Sequence, residues 1–212
     1  MESGAELDRR EGCAKIKGRL SGRLGNYAMN KIFERLAESI ASTLMAFSKG
    51  RPLDQLLVVE HQLPGVTPEM ITWWWSNMQD TARYQLWHPD DHISFRWEIP
   101  PMPGHVGTIQ VARERIGGIP TTLRIRFDDP GGLNTPYACI LAGSILDHND
   151  RVVSRLTHEY EAMPGGTKMR SIFYLPKTLY RVLHKGLRQH NIEEMANFSQ
   201  FLPGLYQASS RN

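Results

Sequence analysis

Two ionisable side chains sit in the longest apolar stripe of this chain. Leu183, Leu187, His190, Glu194, Phe198 and Phe201 follow one another at steps of three and four, which places them on one face of an α-helix. Leu179 and Val182 widen that face, while Lys185, Arg188, Gln189 and Glu193 fall on the others. A buried ionisable group without a partner is costly, so such groups are paired or bound to a metal. A His and a Glu four residues apart project from adjacent turns and can hold one cation between them. A hydrogen-bonded core pair satisfies the same spacing. A second concentration of polar chemistry is Tyr84-Gln85-Leu86-Trp87-His88-Pro89-Asp90-Asp91-His92, around a proline that forbids a regular helix. Glu114 and His158 lie on strand-like stretches, where a lone carboxylate more often pairs with a neighbouring Arg. His61, at the end of a short strand, reads as solvent-facing. With only Cys13 and Cys139 there is neither a disulfide framework nor a thiolate zinc knuckle. Any metal ligands would then be His and carboxylate.

The elements that must position these residues are legible in order. Residues 1–25 read as a loose polar arm, and residues 26–47 carry a helical stripe of Met29, Ile32, Phe33, Leu36, Ile40 and Leu44. That stripe is expected to pack on the main domain or on a partner subunit. Leu56–Gln62 is short and β-rich and is expected to be a strand. Thr67-Pro68-Glu69 starts a helix, with Thr67 as N-cap, Pro68 at the first position and an acid at the positive end. It contains Trp73, Trp74 and Trp75, which cannot all face one core; at least one should line a cavity or an interface. Strands are expected over Ile93–Ile99, Thr108–Arg115, Thr121–Phe127, Tyr137–Ile145, Val152–Tyr160 and Thr167–Leu175, and one long helix over Pro176–Tyr206. Antiparallel strands followed by a long helix imply an α+β domain, a curved sheet gripping the C-terminal helix around a cavity. The division is 1–54 as arm and helix, with a possible role in dimerisation, and 55–212 as the helix-grip domain.

Composition narrows the classes. At 212 residues, 41% hydrophobic and 22% charged, the chain is an ordinary globular one. A net charge of +3 without a basic run does not suggest nucleic-acid binding. No apolar run reaches membrane-spanning length, and the charged start MESGAELDRREG is unlike a signal peptide. A reducing, cytoplasmic setting is the expectation.

The chain resembles the diacetylphloroglucinol hydrolase and phloretin hydrolase family. The likeness is carried by Gly65-Val66-Thr67-Pro68-Glu69-Met70 and the tryptophans after it, by Arg83–His92, and by Glu114-Arg115-Ile116-Gly117-Gly118. It continues through Met169-Arg170-Ser171-Ile172-Phe173 and ends with His190, Glu194 and Leu202-Pro203-Gly204-Leu205-Tyr206. The resemblance implies a Bet v 1-like helix-grip domain and one zinc per chain, held by His92, Glu114, His190 and Glu194. His88 is a rival for His92; the family's substrate-contacting tyrosine precedes its first ligand by eight residues, as Tyr84 precedes His92. It further implies His158 for proton transfer, and Tyr84 with Tyr174 (or Phe173, lacking a hydroxyl) at the phenolic oxygens. The implied reaction is hydrolysis of the C–C bond between an acyl group and a polyhydroxylated ring, by a homodimer acting on a small aromatic, polyketide-like substrate. Another C–C reaction at the same metal (retro-Claisen, retro-aldol or cyclisation), or a non-enzymatic carrier of hydrophobic ligands, are the alternatives. The region before the tryptophans and the His92–Glu114 interval look shorter than in the family.

Overall fold

The computed structural model describes Met29 and residues 31–210. The polar arm and Cys13 lie outside the described residues. Helix α1 spans 31–48. It is followed by β1 (Gln55–Pro64), α2 (Pro68–Asn77), α3 (Thr81–Gln85), β2 (His92–Ile99), β3 (Ile109–Ile116), β4 (Ile119–Asp128), β5 (Cys139–Leu146), β6 (Val152–Met163), β7 (Gly166–Leu175) and α4 (Lys177–Ser209). The strands form one seven-stranded antiparallel sheet in the order β1-β7-β6-β5-β4-β3-β2. Helices α2 and α3 occupy the connection between the two edge strands, and α4 lies along the concave face. This is the expected helix-grip, Bet v 1-like architecture.

The local reasons are those the sequence suggests. Pro68 occupies the first turn of α2, and the Thr67 hydroxyl accepts from the Met70 amide at 3.4 Å. Strand alternation sorts the core: Ala112 and Ile116 on β3 and Leu123, Ile125 and Phe127 on β4 are all buried. The three tryptophans divide. Trp74 is fully buried between Trp87, Phe198 and Phe201, Trp75 stacks on His158 at 5.3 Å, and half-buried Trp73 meets Tyr206 edge-on at 5.5 Å. Helix α4 runs through Pro203, whose missing N–H removes one backbone bond near the helix end. Among the described residues no helix is long and apolar enough to cross a membrane.

One sequence expectation is corrected here, and the α1 stripe is placed. Val182 does not widen the buried stripe of α4; it is exposed, whereas Leu179 and Leu183 are buried with Val153. The strip of α1 is covered only at its end, where Leu44 and Met45 pack on that cluster. The helix is further tied by Glu38 to Arg113 at 2.9 Å and Glu34 to Arg115 at 3.2 Å. Ile32, Phe33, Leu36 and Ile40 remain exposed.

One close approach sets the height of α4. Gly117, at φ +60 in the β3–β4 turn, touches Gly186, and a Cβ on Gly186 would lie 2.6 Å from the Gly117 Cα and 2.8 Å from its nitrogen. Those are backbone atoms and cannot swing away. Replacing Gly by Ala in a helix normally gains about 1 kcal/mol, but forcing atoms into a packed contact costs about 1–3 kcal/mol. Gly186→Ala is therefore expected to lower unfolding free energy, and Gly204→Ala, in the same helix with nothing within 4 Å of its Cβ, to raise it. Urea titration of both variants checks this; a stabilised Gly186→Ala would refute the role of the contact.

Candidate metal centre and cavity

The site assembles from three elements. His92 opens β2 and pairs directly with Glu114 on β3, so residues distant in sequence become cross-strand neighbours. Helix α4 supplies His190 and Glu194, one and two turns beyond Gly186 on the same face. All four side chains are at least nine-tenths buried. His190 Nε2 lies 3.3 Å from Glu114 Oε2 and 3.8 Å from Glu194 Oε2, and His92 Nε2 lies 3.7 Å from Glu194 Oε2. The ligand atoms offered by His92, His190 and Glu194 all fall within 4.8 Å of one another.

Outer contacts orient each of the four. His92 Nδ1–H donates to the Tyr84 carbonyl at 3.0 Å, and the two rings stack with centroids 3.9 Å apart. His190 Nδ1 faces Asp91 Oδ2 at 3.3 Å. Both imidazoles thus turn Nε2 inward, and both Nε2 atoms are buried without a hydrogen-bond partner among the described residues. Orphaned buried nitrogens beside two carboxylates are the donor set a divalent first-row metal takes, and imidazoles anchored through the other nitrogen are how such ligands are held. The residues present fit a metal. The Tyr84 hydroxyl donates to Glu114 Oε1, and Asn191 Nδ2 donates to Glu194 Oε1 at 2.8 Å.

Electrostatics agree. Burial pulls the Glu114 and Glu194 carboxyls up, but His190 and His92 outweigh it and hold both below the usual range. Burial pulls His190 down, but Glu114, Glu194 and Asp91 outweigh it and raise it. Burial, then the charge of Glu114, pushes the Tyr84 phenol up, keeping it a donor.

His88 is also buried, stacked on His190 at 4.8 Å. Its Nε2 points to Glu193 at 3.2 Å and Asp91 at 3.7 Å. It belongs with Asp91 on the Nδ1 side of His190, whereas His92 stands with Glu194 on the Nε2 side. Tyr84 stands differently from expectation: its hydroxyl is spent on Glu114, and the ring is fully buried outside the cavity wall. Tyr174 is likewise corrected. Strand alternation turns it to the other face of the sheet, beside Arg155, and Phe173 faces the cavity with no hydroxyl to offer.

Beside the four side chains opens a cavity of about 890 Å³ of empty space, mouth included, between the sheet and α4. Glu114, His190, Glu194, Trp75 and Trp87 line one part and aliphatic side chains most of the rest. His158 is part of the wall. Its Nδ1 lies 2.9 Å from Ser171 Oγ, and Ser171 Oγ is 3.2 Å from His61 Nε2, which also meets Asn191 Oδ1 at 3.0 Å. A continuous chain of contacts therefore joins His158 to Glu194. His61, read from sequence as solvent-facing, is half-buried within it. Its signal was present: Leu57, Val59 and Leu63 alternate with it and are buried, so His61 shares their inward face.

The chain belongs to the family described as DAPG hydrolase PhiG domain, whose model matches residues 54–185. It is 25% identical over 181 residues to a phloretin hydrolase of Eubacterium ramulus, covering 68% of this chain and 64% of that one. It is 27% identical over 137 residues to a 2,4-diacetylphloroglucinol hydrolase of a Pseudomonas species, covering 53% and 45%. The chain thus spans about two thirds and half the length of these relatives. Among solved structures, protein Ms6760 of Mycobacterium smegmatis is similar in fold, with TM-score 0.50 at 13% identity over 76% of this chain and 97% of that one. The family match ends before His190 and Glu194.

Burial pushes His158 down to about 4, against a smaller upward pull from Glu194 and a downward one from His61. An unfolded histidine titrates near 6.5, so between about pH 4 and 6.5 the unfolded chain holds the extra proton. The stability tied to neutral His158 is present above pH 6.5 and lost as pH falls through about 4. Wild type should lose stability relative to His158→Phe across that window, by at most about 1.4 kcal/mol per pH unit. Urea titrations at a series of pH values measure the gap; parallel curves would refute it.

Proposed function

We propose that this protein is a zinc-dependent hydrolase of the C–C bond joining an acyl group to a polyhydroxylated aromatic ring. The observation that carries the reading is the pair of buried Nε2 atoms, His92 and His190, set close to Glu114 and Glu194, with His190 and both carboxylates lining an apolar cavity. Family membership and the substrates named for its relatives, phloretin and 2,4-diacetylphloroglucinol, support it.

His92, Glu114, His190 and Glu194 would hold the ion. When bound, zinc supplies Lewis acidity, polarising an acyl carbonyl or making water more acidic. The chain's own groups do the rest. Trp75 and Trp87 flank the place where an aromatic ring would lie, and the apolar wall excludes bulk water from it. In balance, the oxygen of water bonds to the acyl carbon, the bond from that carbon to the ring breaks, and the ring carbon takes a proton. Such a ring can leave only because its oxygens delocalise the charge. His158, on the cavity wall and oriented by Ser171, would accept a proton from water and return it to the ring carbon. Ser171 fixes its ring through Nδ1. Tyr84 and Asn191 act as positioning residues for Glu114 and Glu194. The reading includes a homodimer, supported by the exposed stripe of α1; light scattering should give twice the chain mass, and a monomer would overturn that part.

Elemental mass spectrometry of purified protein should find about one zinc per chain. His190→Ala and Glu194→Ala should lose metal and activity together. His158→Ala should keep the metal and lose about 10²–10⁴ in turnover of acylphloroglucinols. Full metal in both ligand variants would defeat the site, and turnover of β-diketones in place of acylphloroglucinols would defeat the reaction.

A further inference from the structure

Between Leu57 and Leu63 the inward face of β1 is apolar except at His61. Helix α4 packs against this strand, and Asn191 of α4, 0% exposed, meets His61 there. Asn191 Oδ1 lies 3.0 Å from His61 Nε2, and Asn191 Nδ2 donates to Glu194 Oε1 at 2.8 Å. Chemistry fixes the direction of both bonds. An ionised carboxylate only accepts, so the amide turns its NH₂ group to Glu194 and its carbonyl to His61. His61 Nε2 therefore carries a hydrogen and donates it, whether the ring is neutral or protonated. Ser171 Oγ, 3.2 Å from the same nitrogen, is the more distant acceptor. Among the described residues no other side chain donates to the Asn191 carbonyl.

The result is a Glu194 carboxylate tied at one oxygen. Oε1 is taken by Asn191, and Oε2 is the oxygen turned to His92 Nε2 at 3.7 Å and His190 Nε2 at 3.8 Å. Stability alone does not require this arrangement. Replacing both members of a buried hydrogen bond by apolar groups of similar shape is nearly neutral, and leucines at 61 and 191 would extend the apolar faces of β1 and α4. What the polar pair adds is direction. With its carbonyl anchored to β1, the Asn191 amide cannot swing about its side-chain bonds, and the carboxylate it holds cannot turn. Groups that orient a ligand from behind are worth about 10–100-fold in metal affinity.

We propose that His61 is a positioning residue of the metal centre: by anchoring the Asn191 carbonyl it fixes which oxygen Glu194 offers to the ion, and so tightens zinc binding from a strand that holds no ligand. The proposal rests on the reading of His92, Glu114, His190 and Glu194 as the ligands. His61 is not part of the cavity wall. It acts on the centre through one amide and touches neither ion nor substrate.

The test is zinc affinity, measured on the full chain by competition with a chromophoric chelator at one pH. Wild type, His61→Leu, Asn191→Leu and the double variant form a thermodynamic cycle. Each single variant should bind zinc about 10–100-fold more weakly than wild type. The double variant should bind no more weakly than Asn191→Leu alone, because His61 acts only through Asn191. His61→Gln, whose amide N–H can reach the same carbonyl, should bind as wild type does. His61→Met, which fills the space without a donor, should lose affinity like His61→Leu and serves where the leucine variant does not fold. Wild-type affinity in both His61→Leu and His61→Met overturns the proposal. So do losses that multiply in the double variant, or a loss that His61→Gln shares. Melting of the metal-free proteins separates a purely structural role, which lowers the melting temperature and leaves zinc affinity unchanged; that result also overturns it. The predicted pattern in a protein that cleaves no acylphloroglucinol supports the proposal and sinks the hydrolase reading alone, whereas a wild type that binds no zinc overturns the metal centre and the proposal together.

Discussion

The backbone contact between Gly117 and Gly186 decides where everything further along α4 falls. A helix lying on a curved sheet can slide and rotate, and apolar side chains alone tolerate several settings. Two glycines in contact remove that freedom, because the turn and the helix meet backbone to backbone. From Gly186 the helical period places His190 and Glu194 on the same face. β-pairing independently places His92 beside Glu114. The two halves of the site come from different kinds of secondary structure, and the glycine contact brings them into register.

Four buried ionisable groups in one place would be untenable without the contacts behind them. Each is held by a neighbour that leaves one atom free: the Tyr84 carbonyl for His92, Asp91 for His190, the Tyr84 hydroxyl for Glu114 and Asn191 for Glu194. Tyr84 serves both members of the β2–β3 pair, one through its backbone and one through its side chain. The residual orphans, two imidazole nitrogens, point at the same small volume. An arrangement that is fully satisfied except at one shared point is built to receive something there.

The cavity follows a similar logic on a larger scale. Its wall is aliphatic, which excludes water and raises the cost of every unpaired polar atom. His158 sits neutral because of that burial, in contact with Trp75 and anchored to Ser171. The cavity's polar side chains are those of Glu114, His190 and Glu194, of His158, and of Gln110 and Ser154. Buried atoms without a partner, at His92 Nε2, His190 Nε2 and Gln110 Oε1, cost stability, and functional sites are where such losses persist.

The chain alone determined the order of the strands and of α1, α2 and α4, the inward face of α4 and the helix-grip class, because those depend on local period and on turn and cap residues; the short α3 was not read from it. It also marked His92, Glu114, His190 and Glu194, through a family resemblance for the first two and through an apolar stripe for the last two. The tertiary structure decided what no local pattern encodes. It grouped His92 with Glu194 and His88 with Asp91, since residues four apart around Pro89 can point either way until β2 pairs. It spent the Tyr84 hydroxyl on Glu114 and turned Tyr174 out of the cavity in favour of Phe173, a difference of one residue in strand phase. It drew His61 inward and left the stripe of α1 largely exposed. Side-chain period is a property of a segment, whereas the partner that meets a side chain is a property of the whole packed chain, and the site's chemistry lies in the partners.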